Sequence, residues 1–156
     1  MPEASLLIDA IRDLLLECGL FDLLHPADVL TAAGYFSLNR IDEGAPIFRE
    51  GDAGSFMCIL SQGAVSVRKI NLAGEEVEVA CLRRGRAFGE MAVLDGERRS
   101  ASCVAASDSV LLTLGKDALD KMLQESPKVA AQVIRAIAVS MSRRLRMADG
   151  QRVNQV

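Results

Sequence analysis

The residues richest in chemistry lie in one short segment, Phe88-Gly89-Glu90-Met91-Ala92-Val93-Leu94-Asp95-Gly96-Glu97-Arg98-Arg99-Ser100-Ala101-Ser102. A glycine, an acid and a run of apolar residues predict one or two turns of helix. Asp95-Gly96 stops it, and a strand is expected to resume at Ser100. Backbone N–H groups at a helix start lack acceptors and attract anions. Gly89 lets a ligand come close to the backbone. Arg99 and Ser100 would set a guanidinium and a hydroxyl beside those N–H groups, and the planar fork of arginine suits phosphate. Glu90 is no phosphate ligand, but a carboxylate beside a phosphate site can accept from a sugar hydroxyl. Phosphate plus sugar points to a nucleotide, and the small number of cations favours a ligand of low charge over a triphosphate. The same residues admit a plainer account: Glu90 as a helix-dipole partner, Arg98 and Arg99 as solvated loop cations, Ser100 as a cap.

Other chemistries are narrowed by what the chain lacks. Its 156 residues include one histidine, His25, so no set of histidine ligands can form within one chain. His25 lies in Leu24-His25-Pro26, which reads as a helix entry and gives it a structural or solvated role. Cys18, Cys58, Cys81 and Cys103 are widely spaced and form no zinc pattern; the last three fall in apolar, strand-like runs and are expected to be reduced and buried. A formal net charge of −3 disfavours a strongly basic nucleic-acid binder. No basic residue precedes the first apolar stretch, and no apolar run approaches the ~20 residues of a membrane span, so a cytoplasmic location is expected.

The elements that must position this segment divide into three. Leu6, Leu7, Ala10, Ile11, Leu14 and Leu15 recur at helical spacing, and a second helix is expected from Pro26 to about Ala33. From Tyr35 to Leu114 the chain reads as short strands broken by turns such as Asp42-Glu43-Gly44 and Asn71-Leu72-Ala73-Gly74, with Glu76 to Cys81 alternating cleanly. Such a series predicts a small antiparallel barrel or jelly roll. Helix returns at Lys116 to Leu123, then after Ser126-Pro127, where Val129, Val133, Ile137, Met141 and Leu145 step every four residues. Ala130, Ile134 and Ala138 widen that stripe enough to predict burial on two sides, and Arg143, Arg144 and Arg146 suit the negative end of its dipole.

The segment from Phe88 to Ser102 resembles the phosphate-binding cassette of the cyclic nucleotide-binding domain family. The family pattern is Phe-Gly-Glu, an apolar run, a short loop, then Arg-(Ser/Thr/Ala)-Ala-(Thr/Ser), matched here by Phe88-Gly89-Glu90 and Arg99-Ser100-Ala101-Ser102. An earlier glycine-spaced block, Gly44-Ala45-Pro46-Ile47-Phe48, Glu50-Gly51-Asp52, Phe56 to Leu60 and Gly63 to Val67, is similar too. The resemblance covers roughly Leu38 to Leu114.

The resemblance implies a mainly β fold with flanking α: an antiparallel β-barrel (jelly roll) with N-terminal helices and C-terminal hinge and lid helices. Residues 1–34 would form the N-terminal helical segment, 35–114 the β-roll with its cassette at 88–102, 115–148 the hinge and lid helices, and 149–156 a fraying tail. The ligand would be cyclic AMP, favoured over cyclic GMP, with no metal, cofactor or catalytic residue. Arg99 would pair with the cyclic phosphate and Glu90 with the ribose 2′-hydroxyl. Backbone near Gly89, Ala92, Ser100 and Ala101 would complete the cradle, and Val79, Cys81, Leu82 and Met91 would form walls. Ligand binding would shift the helix at Lys116 to Leu123 and swing in the lid, through Met141, Arg144 or Leu145. A protein effector of unknown identity would read that movement. Neither a helix-turn-helix DNA-binding domain nor a membrane span is expected; the lid's apolar faces would equally serve a homodimer seam. Arg83, Arg84 and Arg86 form a basic cluster beside the cassette that reads first as a solvated loop and, as the alternative, would raise the positive potential there. Two rivals stand: the same fold acting through partner binding without nucleotide, and a cupin-like metalloenzyme, which the single histidine disfavours.

Overall fold

Spacing dictates the N-terminal helices, as the computed structural model shows; it describes residues 2–154, with side-chain surroundings for 3–150. Helix α1 (Pro2–Glu17) buries Ile11 and Leu15 on one stripe and leaves Leu6 and Leu7 outside. Helix α2 (Pro26–Ala33) begins where His25 caps it, its Nδ1 accepting from the Ala27 N–H at 3.1 Å, and buries Val29, Ala32 and Ala33. The lone histidine therefore has a structural task.

Eight strands follow. One sheet contains, in spatial order, β1 (Ser37–Ile41), β8 (Ser109–Gly115), β3 (Phe56–Gln62) and β6 (Ala87–Phe88). The other runs β2 (Pro46–Phe48), β7 (Ser102–Ala105), β4 (Val65–Ile70) and β5 (Glu76–Leu82). All pairings are antiparallel, and the two ladders stay separate rather than closing into a continuous barrel. The fold is of the jelly-roll class, mainly β with flanking helices.

The first sheet is a middle layer, and its inner strands β3 and β8 are apolar on both faces for that reason, whereas the edge strand β1 is largely exposed. Met57, Ile59, Leu112 and Leu114 join a core with α1, α2 and the C-terminal helices. Cys58, Leu60 and Leu111 face the other way, into a core shared with Phe48, Val65, Leu82 and Cys103 of the second sheet. The short helix α3 (Glu90–Asp95) sits between β6 and β7 and carries the chemistry-bearing residues out of this layer.

Helices α4 (Lys116–Glu125) and α5 (Pro127–Asn154) complete the chain. Val129, Ala130, Val133 and Ile137 of α5 are buried against α2 and the sheet, whereas Ala138, Leu145 and Met147 are exposed. Burial on two sides, as the apolar pattern suggested, does not occur: one face over the first three turns packs, and the later apolar residues have no neighbour to cover them. The helix also continues through residues 149–154, beyond the point where a fraying tail was expected; residues 155–156 lie outside the described residues.

Candidate functional site

Two glycines shape α3. The chain enters through Gly89 at φ 72° and leaves through Gly96 at φ 71°, both in the left-handed region that side chains resist. At Gly89 there is a second constraint. A Cβ there would stand 2.6 Å from Nη1 of Arg99 and 3.2 Å from the Phe48 ring, so only glycine lets the arginine reach the helix start.

Arg99 is held on several sides. Its Nη1 donates to the Gly89 carbonyl at 3.0 Å and its Nη2 to the Phe56 carbonyl at 2.5 Å. Its Cζ lies 3.9 Å from the Phe48 ring centroid and 4.7 Å from that of Phe56. The two rings, themselves edge-to-face with planes 69° apart, meet the cation from adjacent sides, and their quadrupoles steady it. The residue is 5% exposed, and Nε has no partner. Burial lowers the guanidinium pKa, but arginine keeps its charge at neutral pH. Among the described residues it forms no salt bridge, so a buried cation stands here without a paired carboxylate. That arrangement is costly alone and is relieved by an anion.

The strand expected to resume at Ser100 does not begin there, and Arg99 lies outside it. Its N–H donates to the Asp52 carbonyl at 2.8 Å, and its carbonyl accepts from Gly51 N–H at 2.9 Å. These bonds tie it to the neighbouring turn, and β7 starts only at Ser102, leaving Ser100 in an exposed bend.

A cavity of about 300 Å³ opens over these groups. Gly89, Glu90, Met91, Ala92, Arg99, Ser100, Ala101 and Leu82 line it, as the sequence suggested. Val79 and Cys81 do not. The pairing of β4 with β5 shifts register between Val67 and Arg68, whose partners are Ala80 and Glu78. Val79 is thus the extra residue of a β-bulge and is exposed. The wall is built instead by Ala80 and Leu82, two apart on one face, with Val67 opposite Ala80. Cys81 is exposed on this edge strand rather than buried; all four cysteines are free thiols.

Glu90, 4% exposed, is the first residue of α3. Its carboxylate accepts from Nη2 of Arg144, which projects from the later half of α5. Burial, and repulsion from Arg86, lower the Arg144 pKa; the Glu90 carboxylate favours the charged form, which persists at neutral pH. Of the three lid candidates, Arg144 alone lines the cavity. Met141 packs on the helical core, and Leu145 is 64% exposed.

Residues missed from sequence are Phe48 and Phe56, which brace Arg99, and Val67 and Ala80 in the wall. The period-two rule applied backwards from Leu82 finds Ala80; the two phenylalanines fall in the glycine-spaced block that resembles the family, but nothing there marks them as partners of Arg99. Arg86 of the basic cluster does reach the cavity, whereas Arg84 pairs with Glu17 at 2.9 Å. Among the described residues no cluster of His, Cys, Asp or Glu is placed to hold a metal ion, and no helix is long and apolar enough to cross a membrane.

A buried, anion-seeking arginine and a buried carboxylate at the two ends of one Gly-bracketed segment, set on two antiparallel sheets, define a nucleotide-type binding module. Comparison with known proteins agrees. The family model described as cyclic nucleotide-binding domain matches residues 38–126, more than half of the chain. The chain belongs to that family. It is 38% identical over 130 residues to the cyclic AMP receptor protein of Thermus thermophilus, covering 83% of this chain and 58% of that one. It is 29% identical over 145 residues to a cGMP-dependent protein kinase of Toxoplasma gondii, covering 93% of this chain but 14% of the kinase. A crystal structure of a cyclic nucleotide-binding domain from Methylobacillus flagellatus superposes with a TM-score of 0.83 at 25% identity, covering 98% of this chain and 86% of that one. The chain thus spans less than two thirds of these two curated relatives.

Proposed function

We propose that this chain is a non-catalytic sensor module that binds a cyclic nucleotide, cyclic AMP in preference to cyclic GMP, and reports it through its C-terminal helices. The observation that carries the reading is that Arg99 and Glu90 line one cavity, both buried, Glu90 as the first residue of α3 and Arg99 in the loop that follows it. Arg99 meets the exocyclic oxygens of the cyclic phosphate, aided by the Ser100 hydroxyl and by the N–H groups of the first turn of α3. Glu90 accepts from the ribose 2′-hydroxyl. Leu82, Met91, Ala92 and Ala101 enclose the sugar and base.

The mechanism is competition. The ribose hydroxyl and Arg144 seek the same carboxylate, so ligand binding releases α5 from its ion pair. Residues 1–34 and 35–114 act as the fixed frame, and α4 with α5 as hinge and lid. A protein effector reads the new position of α5, and the exposed Leu145 and Met147 suit a second copy of the chain or that effector.

A thermal-shift titration of the wild type and Arg99→Ala with cyclic AMP and cyclic GMP tests the reading. At a hundred dissociation constants a ligand adds about 2.7 kcal/mol, or roughly 5–10 °C for a domain of this size. A saturable rise with cyclic AMP, weaker with cyclic GMP and absent in Arg99→Ala, is expected. No rise with either, in protein freed of co-purified nucleotide, sinks the sensor reading and leaves partner binding as the function.

A further inference from the structure

A second cavity, about 780 Å³, lies outside the cassette. Its walls are the α1–α2 connection (residues 18–24), the loop from Gly85 to Ala87, and one face of α5. That face is Gln132, Arg135, Ala136, Val139, Ser140 and Arg143, spaced three and four apart as one helical stripe requires. Arg86 and Arg144 enter from the side shared with the cassette cavity.

The charge balance is lopsided. Four guanidiniums, Arg86, Arg135, Arg143 and Arg144, face one carboxylate, Asp22. Among the described residues Arg86, Arg135 and Arg143 form no salt bridge, and Glu17, the nearby acid at the end of α1, is already taken by Arg84. The buried Nε of Arg144 has no partner. Arg86 and Arg144 lie close enough that their charges repel. Like charges gathered on the wall of a concave site are destabilising unless an anion joins them. The floor from Leu20, Val139 and Ala136 is apolar, as in sites that take a small organic body with a charged group.

We propose that this cavity is a second binding site, for a small organic phosphate carrying two or more anionic oxygen-rich groups, and that its ligand draws Arg144 away from Glu90. Guanidinium forks converging from α5 and the Arg86 loop match such a group in the way they match any phosphate. Because Arg144 borders both cavities, the two sites are coupled. An anion that engages Arg144 leaves Glu90 free for a ribose hydroxyl, so each ligand raises the affinity of the other by the same factor. The coupling rests on the sensor reading; the anion site does not.

Isothermal titration of the full chain with sodium pyrophosphate, at constant ionic strength, tests this. Saturable 1:1 binding is expected, retained in Arg99→Ala and weakened roughly ten-fold or more in Arg135→Gln/Arg143→Gln. Both substituted residues are exposed and unbonded, so the thermal midpoint of the double variant stays near wild type, and amide shifts of Val139 and Ser140 on titration locate the ligand independently. Unsaturable heat, or binding lost in Arg99→Ala but kept in the double variant, overturns the site. Saturating pyrophosphate should tighten cyclic AMP binding about five-fold or more; an unchanged cyclic AMP affinity overturns the coupling. Pyrophosphate binding in protein that takes no cyclic nucleotide would sink the sensor reading and leave the anion site standing.

Discussion

The guanidinium of Arg144, late in α5, closes on the carboxylate of Glu90, the first residue of α3. This contact joins the C-terminal helix directly to the cassette. Glu90 is almost wholly buried with Arg144 in place, yet it lines the cassette cavity, so once the arginine leaves, its carboxylate faces whatever fills that space. In the proposed function a ligand hydroxyl replaces the guanidinium as donor.

Arg144→Ala removes the competitor for Glu90. The affinity for cyclic AMP should rise roughly three- to ten-fold, since the competent state no longer has to break an ion pair. The unliganded protein should lose about 1–3 kcal/mol, because a buried carboxylate is left without its donor. Urea melts with and without ligand read both numbers. A fall in affinity as large as that of Arg99→Ala would make Arg144 a ligand contact instead of a latch.

Arg99 carries structural weight besides its proposed part in binding. Arg99→Ala strands the Gly89 and Phe56 carbonyls and removes the cation from beside Phe48 and Phe56, so the unliganded fold should lose about 2–4 kcal/mol. Arg99→Lys keeps the charge but not the fork, and should cost about half as much stability while still losing most nucleotide affinity. Denaturant melts paired with ligand titration separate the two effects. A lysine variant that binds as tightly as wild type would show that charge alone suffices.

Much of this arrangement was legible in the sequence because it depends on local chemistry. Gly89 and Gly96 announce a helix that enters and leaves through left-handed residues, and Glu90 and Arg99 at its two flanks announce the site. What was not legible depends on partners distant in the chain. The bulge at Val79 breaks an alternation that looks regular from Glu76 to Cys81, because a bulge is set by the register of β4 and leaves no mark in the apolar pattern. Cys81 follows it to the exposed side. The rotation of α5 decides that Arg144 and not Met141 or Leu145 reaches the cavity, and that rotation comes from Val129, Val133 and Ile137 packing on the helical core. The same anchoring explains why the later apolar residues of α5 remain uncovered.

Gly54 sets how closely α3 can approach the turn before β3. A Cβ there would overlap the Ala92 side chain and stand 2.5 Å from the Glu97 carbonyl, and both belong to the cassette. Gly54→Ala should therefore cost about 1–3 kcal/mol and displace α3. Cyclic AMP affinity should fall with it, although Gly54 itself does not line the cavity. A crystal structure or amide shifts of Ala92 and Val93 in the variant check the displacement; a stable variant with wild-type affinity would refute the close-packing argument.

The thiols report how tightly the inter-sheet core is closed. Cys58 and Cys103 lie within it, 1% and 3% exposed, and burial pushes both thiols up to about 12. The thiolate is the reactive form, so at pH 8 these two should resist a disulfide reagent until the protein unfolds. Cys81 on the outer edge of β5 should react at once, and the half-buried Cys18, also raised by burial, more slowly. The same shifts give the sign of an alkaline instability. The folded state holds protons that the unfolded chain gives up from about pH 9. Stability from these two thiols is therefore intact below pH 9 and drains away as the pH climbs toward 12. Cys58→Ala/Cys103→Ala should flatten that loss in urea melts between pH 8 and 11. An equally steep decline in the double variant would assign the alkaline transition to other groups.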